Sequence, residues 1–176
     1  MKFLIVLLPS IILNFCFGQS NPNIDELKKT QLSIIEIEVA DRKPITSKEV
    51  YLKAGIKTYY FINNEYKIQL DSTEIRGRGN TSWTEYPKKP YRLKLFSSKS
   101  LLGMPSNRHW ALIANYIDRS LIRNKTAYDL SKYFGLKSAS KSEMTHVILN
   151  GNYQGVYQLT EVIKIGNDRV NIDAIT

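Results

Sequence analysis

The sequence predicts an α+β fold, mainly antiparallel strands with one substantial helix packed on them. Three observations carry this. Short runs alternate apolar and polar residues with period two, as Ile35, Ile37 and Val39 do against Glu36 and Glu38. Asn150-Gly151 sits between two such runs and reads as a two-residue hairpin turn. One stretch, residues 118–134, has helical spacing, with Asp118 as its N-cap and Gly135 as its stop.

The elements follow in order. Residues 1–18 read as a signal peptide: Lys2, then an apolar run to Phe17, then the small Gly18. A spanning helix needs about 20 apolar residues, and Pro9, Ser10 and Asn14 interrupt this run. Cys16 is the one cysteine, and Asn14 and Phe15 are poor neighbours for a lipidated one. The chain after residue 18 therefore has no disulfide and must hold by packing. Residues 19–33 are polar and read as a linker. Residues 34–176 form one domain. Strands are expected at 35–39, 50–53, 58–62 and 66–70, punctuated by Lys43-Pro44, Gly55 and Asn63-Asn64. In 91–95, Tyr91, Leu93 and Leu95 share one face and Arg92 and Lys94 the other. Residues 101–105 make an apolar turn. Residues 110–116 are a buried strand or the approach to a helix, with Trp110 filling the core.

The helix over 118–134 places Arg123, Ala127, Leu130 and Phe134 on one stripe, taken as the inward face, with Asn124 beside it on the Leu121 and Tyr128 stripe. An inward guanidinium needs a partner. Two readings stand for Arg123: an internal salt bridge, or an anion contact. Strands at 145–149 and 153–160 form the hairpin, with Tyr153, Gly155, Tyr157, Leu159 and Glu161 on one face. Glu161 at the end of that face is a cation partner, a metal ligand or a solvated strand end. The Gly166-Asn167-Asp168 turn leads to a last short strand at 169–172.

The densest chemistry lies at 76–95, R-G-R-G-N-T-S-W-T-E-Y-P-K-K-P-Y-R-L-K-L. Gly77 and Gly79 permit close backbone approach. Arg76 and Arg78 are fork-shaped donors that match phosphate or carboxylate. A polar turn followed by a cation-bearing strand makes an anion cradle. The spacing is neither a Walker loop nor a dinucleotide fingerprint, so a tight turn with solvated cations stands beside that reading.

The run R-G-R-G-N-T-S-W, followed by Y-P-K-K-P-Y-R-L-K-L, resembles the spore-coat protein H (CotH) family of secreted atypical kinases. Three further stretches fit the same pattern in order: residues 101–124, L-N-G-N-Y-Q-G-V-Y-Q-L-T-E-V-I-K at 149–164, and R-V-N-I at 169–172. The resemblance spans about residues 34 to 172. It implies the N-terminal part of an atypical kinase-like fold, with ATP and Mg²⁺ as cofactors and a secreted or envelope protein as substrate. Carried over, Arg76, Gly77, Arg78, Gly79 and Asn80 lie near the nucleotide. Lys89 or Lys94 binds phosphate, and Arg123 is a further anion contact. Glu161 pairs with that lysine or helps hold the metal. The family's catalytic and metal-binding aspartates are expected beyond Thr176, so the catalytic residues are unknown. Asp168 and Asp173 occupy no such motif, and the chain alone is expected to transfer phosphate weakly or not at all.

Charge and composition narrow the alternatives. Losing Lys2 with the signal peptide takes the formal net charge from +9 to +8, which favours polyanions or acidic surfaces. His109 and His146 have no acid or serine arranged as a triad, and His146 reads as a surface or strand residue. No zinc-ligand cluster exists. A non-catalytic surface-binding module is the second reading. Arg-Gly-Arg-Gly with nearby aromatics also suits single-stranded nucleic acid, but export argues against that partner. After signal cleavage no stable membrane span is expected.

Overall fold

A computed structural model describes residues 21–136, 138–165 and 170. The expected signal peptide, the turn at 166–168 and, apart from Val170, the strand at 169–172 lie outside the described residues.

Among the described residues, seven strands form the body. They are β1 (Ser33–Val39), β2 (Leu52–Ile62), β3 (Glu65–Gly77), β4 (Tyr91–Lys99), β5 (Asn107–Ile113), β6 (Ser142–Leu149) and β7 (Asn152–Glu161). They close into a barrel in the order β1-β2-β3-β4-β5-β7-β6. All neighbours are antiparallel except β1 and β6, whose parallel pairing (Ile35 opposite Val147) closes the ring. This overturns the α+β expectation and its kinase-like packed helix. The helices are short: α1 (Ile24–Lys28), α2 (Thr81–Thr84) and α3 (Arg123–Tyr133).

Alternation supplies the wall. Ile37, Ile56, Ile75, Leu93, Trp110 and Leu159 point inward and are almost wholly buried. Burying each such side chain contributes about 1.5–3 kcal/mol. One expected break is absent. Gly55 lies inside β2, because a glycine in an extended conformation does not interrupt a ladder that its neighbours hold on both sides. The strand expected at 66–70 runs on as the long β3, to Gly77. The turns behave as expected: Asn63 (φ 51°) and Asn64 (φ 64°) join β2 to β3, and Asn150 (φ 51°) and Gly151 (φ 79°) join β6 to β7, as I′-type hairpins require.

Two further differences concern the outer wall. The segment read as a linker contains α1, closed by a reciprocal capping box between Asn23 and Glu26, with Leu27 buried. Leu27, Ile34, Tyr59 and Ile148 form a second cluster outside the barrel. His146 belongs there too: it is a strand residue of β6, as one of its two readings had it, and it is buried. Tyr153 does not share the Tyr157 face, because the β6–β7 register shifts between Val147 and Ile148, where Gly155 adopts φ 89°. That bulge turns Tyr153 outward, onto His146.

Helix α3 is shorter than 118–134 and contributes no buried residue. The stripe expected to face inward faces solvent, with Leu130 48% and Phe134 72% exposed. The opposite stripe, with Leu121 and Tyr128 half-buried, faces the barrel. The anchors at the helix start explain this. Asp118 stands outside the helix, and its carboxylate accepts from the Arg123 backbone N–H (2.9 Å) and the Ser120 hydroxyl (2.6 Å). Asn124 donates to Asn115 Oδ1 (2.8 Å), and Asn115 donates to the buried Gln158 (3.2 Å). These polar bonds orient the helix before its apolar residues can. Gly135 (φ 73°) stops it as expected.

Candidate functional site

The outer wall of β3, β4 and β5 carries the chemistry. Across β3 and β4, Arg76 stands opposite Arg92 and Glu74 opposite Lys94; across β4 and β5, Lys94 stands opposite His109. Their inward neighbours Ile75, Leu93 and Trp110 fill the core, so these side chains share the outer face. Directly opposed residues lie about 4.5–5.5 Å apart at Cβ, and like charges there repel. Lys94 forms an ion pair with Glu74 at 2.8 Å. Tyr51 supports the group from below, its ring 5.0 Å from the Arg76 guanidinium and 5.5 Å from Lys94 Nζ.

Arg78 continues this face at the barrel's upper end, tied there by its backbone N–H to Pro90 O at 3.1 Å. Burial first, then the guanidinium of Arg92 and, more weakly, that of Arg76, push Arg78 below its ordinary value, while Tyr128 of α3 acts the other way. His109 is pushed down to about 4, first by burial, then by Lys164, Arg92, Arg108 and Lys94. Its imidazole is therefore neutral at pH 7, amid cations. Arg92 Nε and His109 Nδ1 are buried without a hydrogen-bond partner among the described residues.

The turn holds its own shape. A Cβ at Gly77 would lie 2.5 Å from the Trp83 ring, so the close approach this glycine allows is to that indole. Gly79 has φ 90°, and Asn80 opens α2, with its carbonyl accepting from Trp83 (2.8 Å) and Thr84 (3.0 Å). Lys89 Nζ donates to Trp83 O at 2.6 Å and lies over that ring. Lys88 Nζ donates to Val156 O at 2.5 Å and lies over Tyr157.

Of the residues singled out from sequence, Arg76, Arg78 and Lys94 come together on one face, with the Gly77–Gly79–Asn80 turn at its upper end. Lys89 is engaged within the turn. Arg123 is 83% exposed on its side chain and 3.5 Å from Asp118; it is not inward. Glu161 stands opposite Trp110, on the inward side of the sheet from Lys94, and its carboxylate accepts from Lys141 N at 3.1 Å. Among the described residues, no three His, Cys, Asp or Glu converge as a metal site. Arg92, His109, Tyr51 and Glu74 were not singled out. The signal for Arg92 was present in the Tyr91–Leu95 alternation; the others needed cross-strand register.

This face presents fork-shaped donors, placed where β3 runs into the R-G-R-G turn. The sequence model of the CotH kinase protein family matches residues 75–175. The chain belongs to the CotH family. The match begins on β3 just before Arg76 and takes in the whole cationic wall, α3 and the β6–β7 hairpin. No curated protein matches the chain. Among the described residues, no helix of this CotH family member is long and apolar enough to cross a membrane.

Proposed function

We propose that this CotH protein cradles a nucleotide as an exported protein kinase, one that uses ATP and Mg²⁺ to phosphorylate Ser or Thr on envelope or secreted proteins. The observation that carries the reading is the gathering of Arg76, Arg78 and Lys94 on one outward face inside the family match. Phosphoryl transfer depends on cations positioned at the phosphates. Arg76 and Arg78 suit phosphate oxygens, and Glu74 orients Lys94 as a positioning partner. ATP supplies the phosphoryl group. The described acids of this wall do not form a magnesium cage, and no step is assigned to the metal. The basic start and apolar run of residues 1–18 support export.

A non-catalytic binding module is the second reading, favoured by the same wall being an open cationic surface. Calorimetry with ATP and Mg²⁺ separates them. Lys94→Ala is expected to weaken ATP binding by about tenfold, the size of one charge-assisted contact, with the fold intact by circular dichroism. Lys89→Ala acts less, through the turn. Absence of ATP binding by the folded wild type would remove the kinase reading and put the binding module ahead.

A further inference from the structure

We propose that the outer face of the barrel around Gly55 is a separate binding site, one that takes a neutral oligosaccharide. It lies apart from the cationic turn and does not rest on the kinase reading. The place is a cross-strand row. Glu38 of β1 stands opposite Gly55 of β2, and Gly55 stands opposite Ser72 of β3. Phe96 of β4 follows Leu95, which stands opposite Thr73. The neighbours Ile37, Ile56, Thr73 and Leu95 are buried, so the row faces outward. It lies further along β1 than Ile34, which the α1 cluster covers. An open cleft of about 630 Å³ sits over the row.

The floor, the wall and the rim of this cleft each point to a ligand. A glycine inside a strand packs no side chain and loses more backbone entropy than alanine. A Cβ at Gly55 would meet nothing within 4 Å, and the backbone there is not left-handed, so neither crowding nor conformation requires glycine. What the missing side chain leaves is room above the sheet. Phe96, 52% exposed, borders that room. At the rim, Asp41 (φ 57°) and Arg42 (φ 51°) are consecutive non-glycine residues in the left-handed region, a cost sustained only where the surroundings hold the turn. Asn150 Nδ2 donates to Arg42 O (3.2 Å), and Arg42 Nε donates to Glu38 Oε1 (2.7 Å). The rim is therefore fixed before a ligand arrives.

The class of ligand follows from the lining. Glu38 and Asp41 are matched by Arg42 and Lys53, so the cleft has no net formal charge on a chain of net charge +9. That balance disfavours a ligand chosen by its charge, nucleotide and basic peptide alike. The carboxylates accept, the cations donate, and the Ser72 hydroxyl does both. Such a lining suits a ligand rich in hydroxyls. The Phe96 ring turns a partly negative face to weakly positive C–H groups. A sugar ring combines these features, with one C–H face and a rim of hydroxyls. A second cleft of about 310 Å³, bordered by the exposed Leu70, shares Glu38 and Gly55 with the first. Two joined clefts take consecutive sugar units.

The test is calorimetry of the purified chain with cellotetraose, mannotetraose and chitotetraose, with tetralysine beside them and thermal unfolding of each variant. Wild type is expected to bind at least one tetrasaccharide and not tetralysine. Phe96→Ala is expected to weaken that binding by about tenfold, the size of one stacked ring contact. Gly55→Val is expected to abolish it while unfolding at the same or a higher temperature, because valine fills open space and favours a strand. Tyr133→Ala, which removes an exposed aromatic on α3, is expected to change it less than about twofold. ATP binding by Gly55→Val is expected to match wild type, so failure of this site and failure of the nucleotide reading are read separately. The proposal is overturned if the folded wild type binds none of the three tetrasaccharides, or if Phe96→Ala binds as tightly as wild type. It is overturned equally if Tyr133→Ala weakens binding as much as Phe96→Ala, or if a folded Gly55→Val binds unchanged. Tetralysine binding that is lost in Glu38→Gln, with no tetrasaccharide bound, gives the cleft to a cationic peptide and overturns it too. Should Gly55→Val lower the unfolding temperature or not fold, Phe96→Ala decides by the same criterion.

Discussion

Two parts of the same outer wall are built by the same alternation and finished differently. On β1, β2 and β6 the outward residues Ile34, Tyr59, His146 and Ile148 are covered by α1. Every polar group singled out there has a partner. The Tyr66 hydroxyl shares its one proton between the carbonyls of Lys28 (3.0 Å) and Leu32 (2.9 Å), and His146 bridges Thr30 (2.8 Å) and Tyr153 (2.8 Å). Thr30 donates to Leu27 O, so the network assigns the proton of neutral His146 to Nε2 and the acceptor role to Nδ1. On β3, β4 and β5 two arginines oppose each other, and among the described residues no helix covers the outward side chains and two buried nitrogens lack hydrogen-bond partners. The first wall spends its side chains on stability. The second keeps groups that cost stability, which is the pattern of a surface kept for a ligand.

Four measurements break or sharpen that comparison. The largest effect is expected in the sealed wall: Ile34→Ala, at a fully buried site, costs about 2–5 kcal/mol in urea unfolding. A loss below about 1 kcal/mol would mean α1 does not seal anything. Next comes the anchor of the open wall. Gly77→Ala sets a methyl into the Trp83 ring and costs about 1–3 kcal/mol, with a shift in tryptophan fluorescence as the indole moves. An unchanged spectrum would separate the turn from the wall.

The third measurement is the pH profile. Burial holds the His146 imidazole below its ordinary 6.5 in the folded state. Its contribution is therefore full above 6.5 and is lost as pH falls through the folded value, because the unfolded chain takes the proton first. His109, down to about 4, acts in the same direction between 6.5 and 4. Melting temperature should fall on acidification through this window, and His146→Gln should flatten the fall. If His146→Gln leaves the slope unchanged, the sealed wall is not the pH-sensitive part. The smallest effect belongs to Lys94 and Glu74, whose side chains are 35% and 24% exposed. Glu74→Gln is expected to cost less than about 1 kcal/mol. A larger loss would make this pair part of the barrel's framework and weaken the contrast between the walls.

The sequence by itself determined the strand-forming segments, the hairpin turns and the cation-bearing strand. Those depend on local properties: period-two alternation in Ile35–Val39 and Tyr91–Leu95, left-handed backbone at Asn150-Gly151, and the chemistry of Arg76 and Arg78. Which strands meet was not local. The parallel β1–β6 pairing that closes the barrel joins residues more than a hundred positions apart, and no turn signal announces it. The direction of α3 was likewise not local: the Arg123, Ala127, Leu130 and Phe134 stripe, read as the inward face, faces solvent. Polar anchors at Asp118, Asn115 and Asn124 settled it, because a hydrogen bond at a helix start sets rotation more strictly than modest apolar area. The opposition of Arg76 to Arg92, and the separation of Glu161 from Lys94 by the thickness of the sheet, followed from cross-strand register alone. A one-residue slip would reverse either, so only the tertiary structure decided which cations share a face.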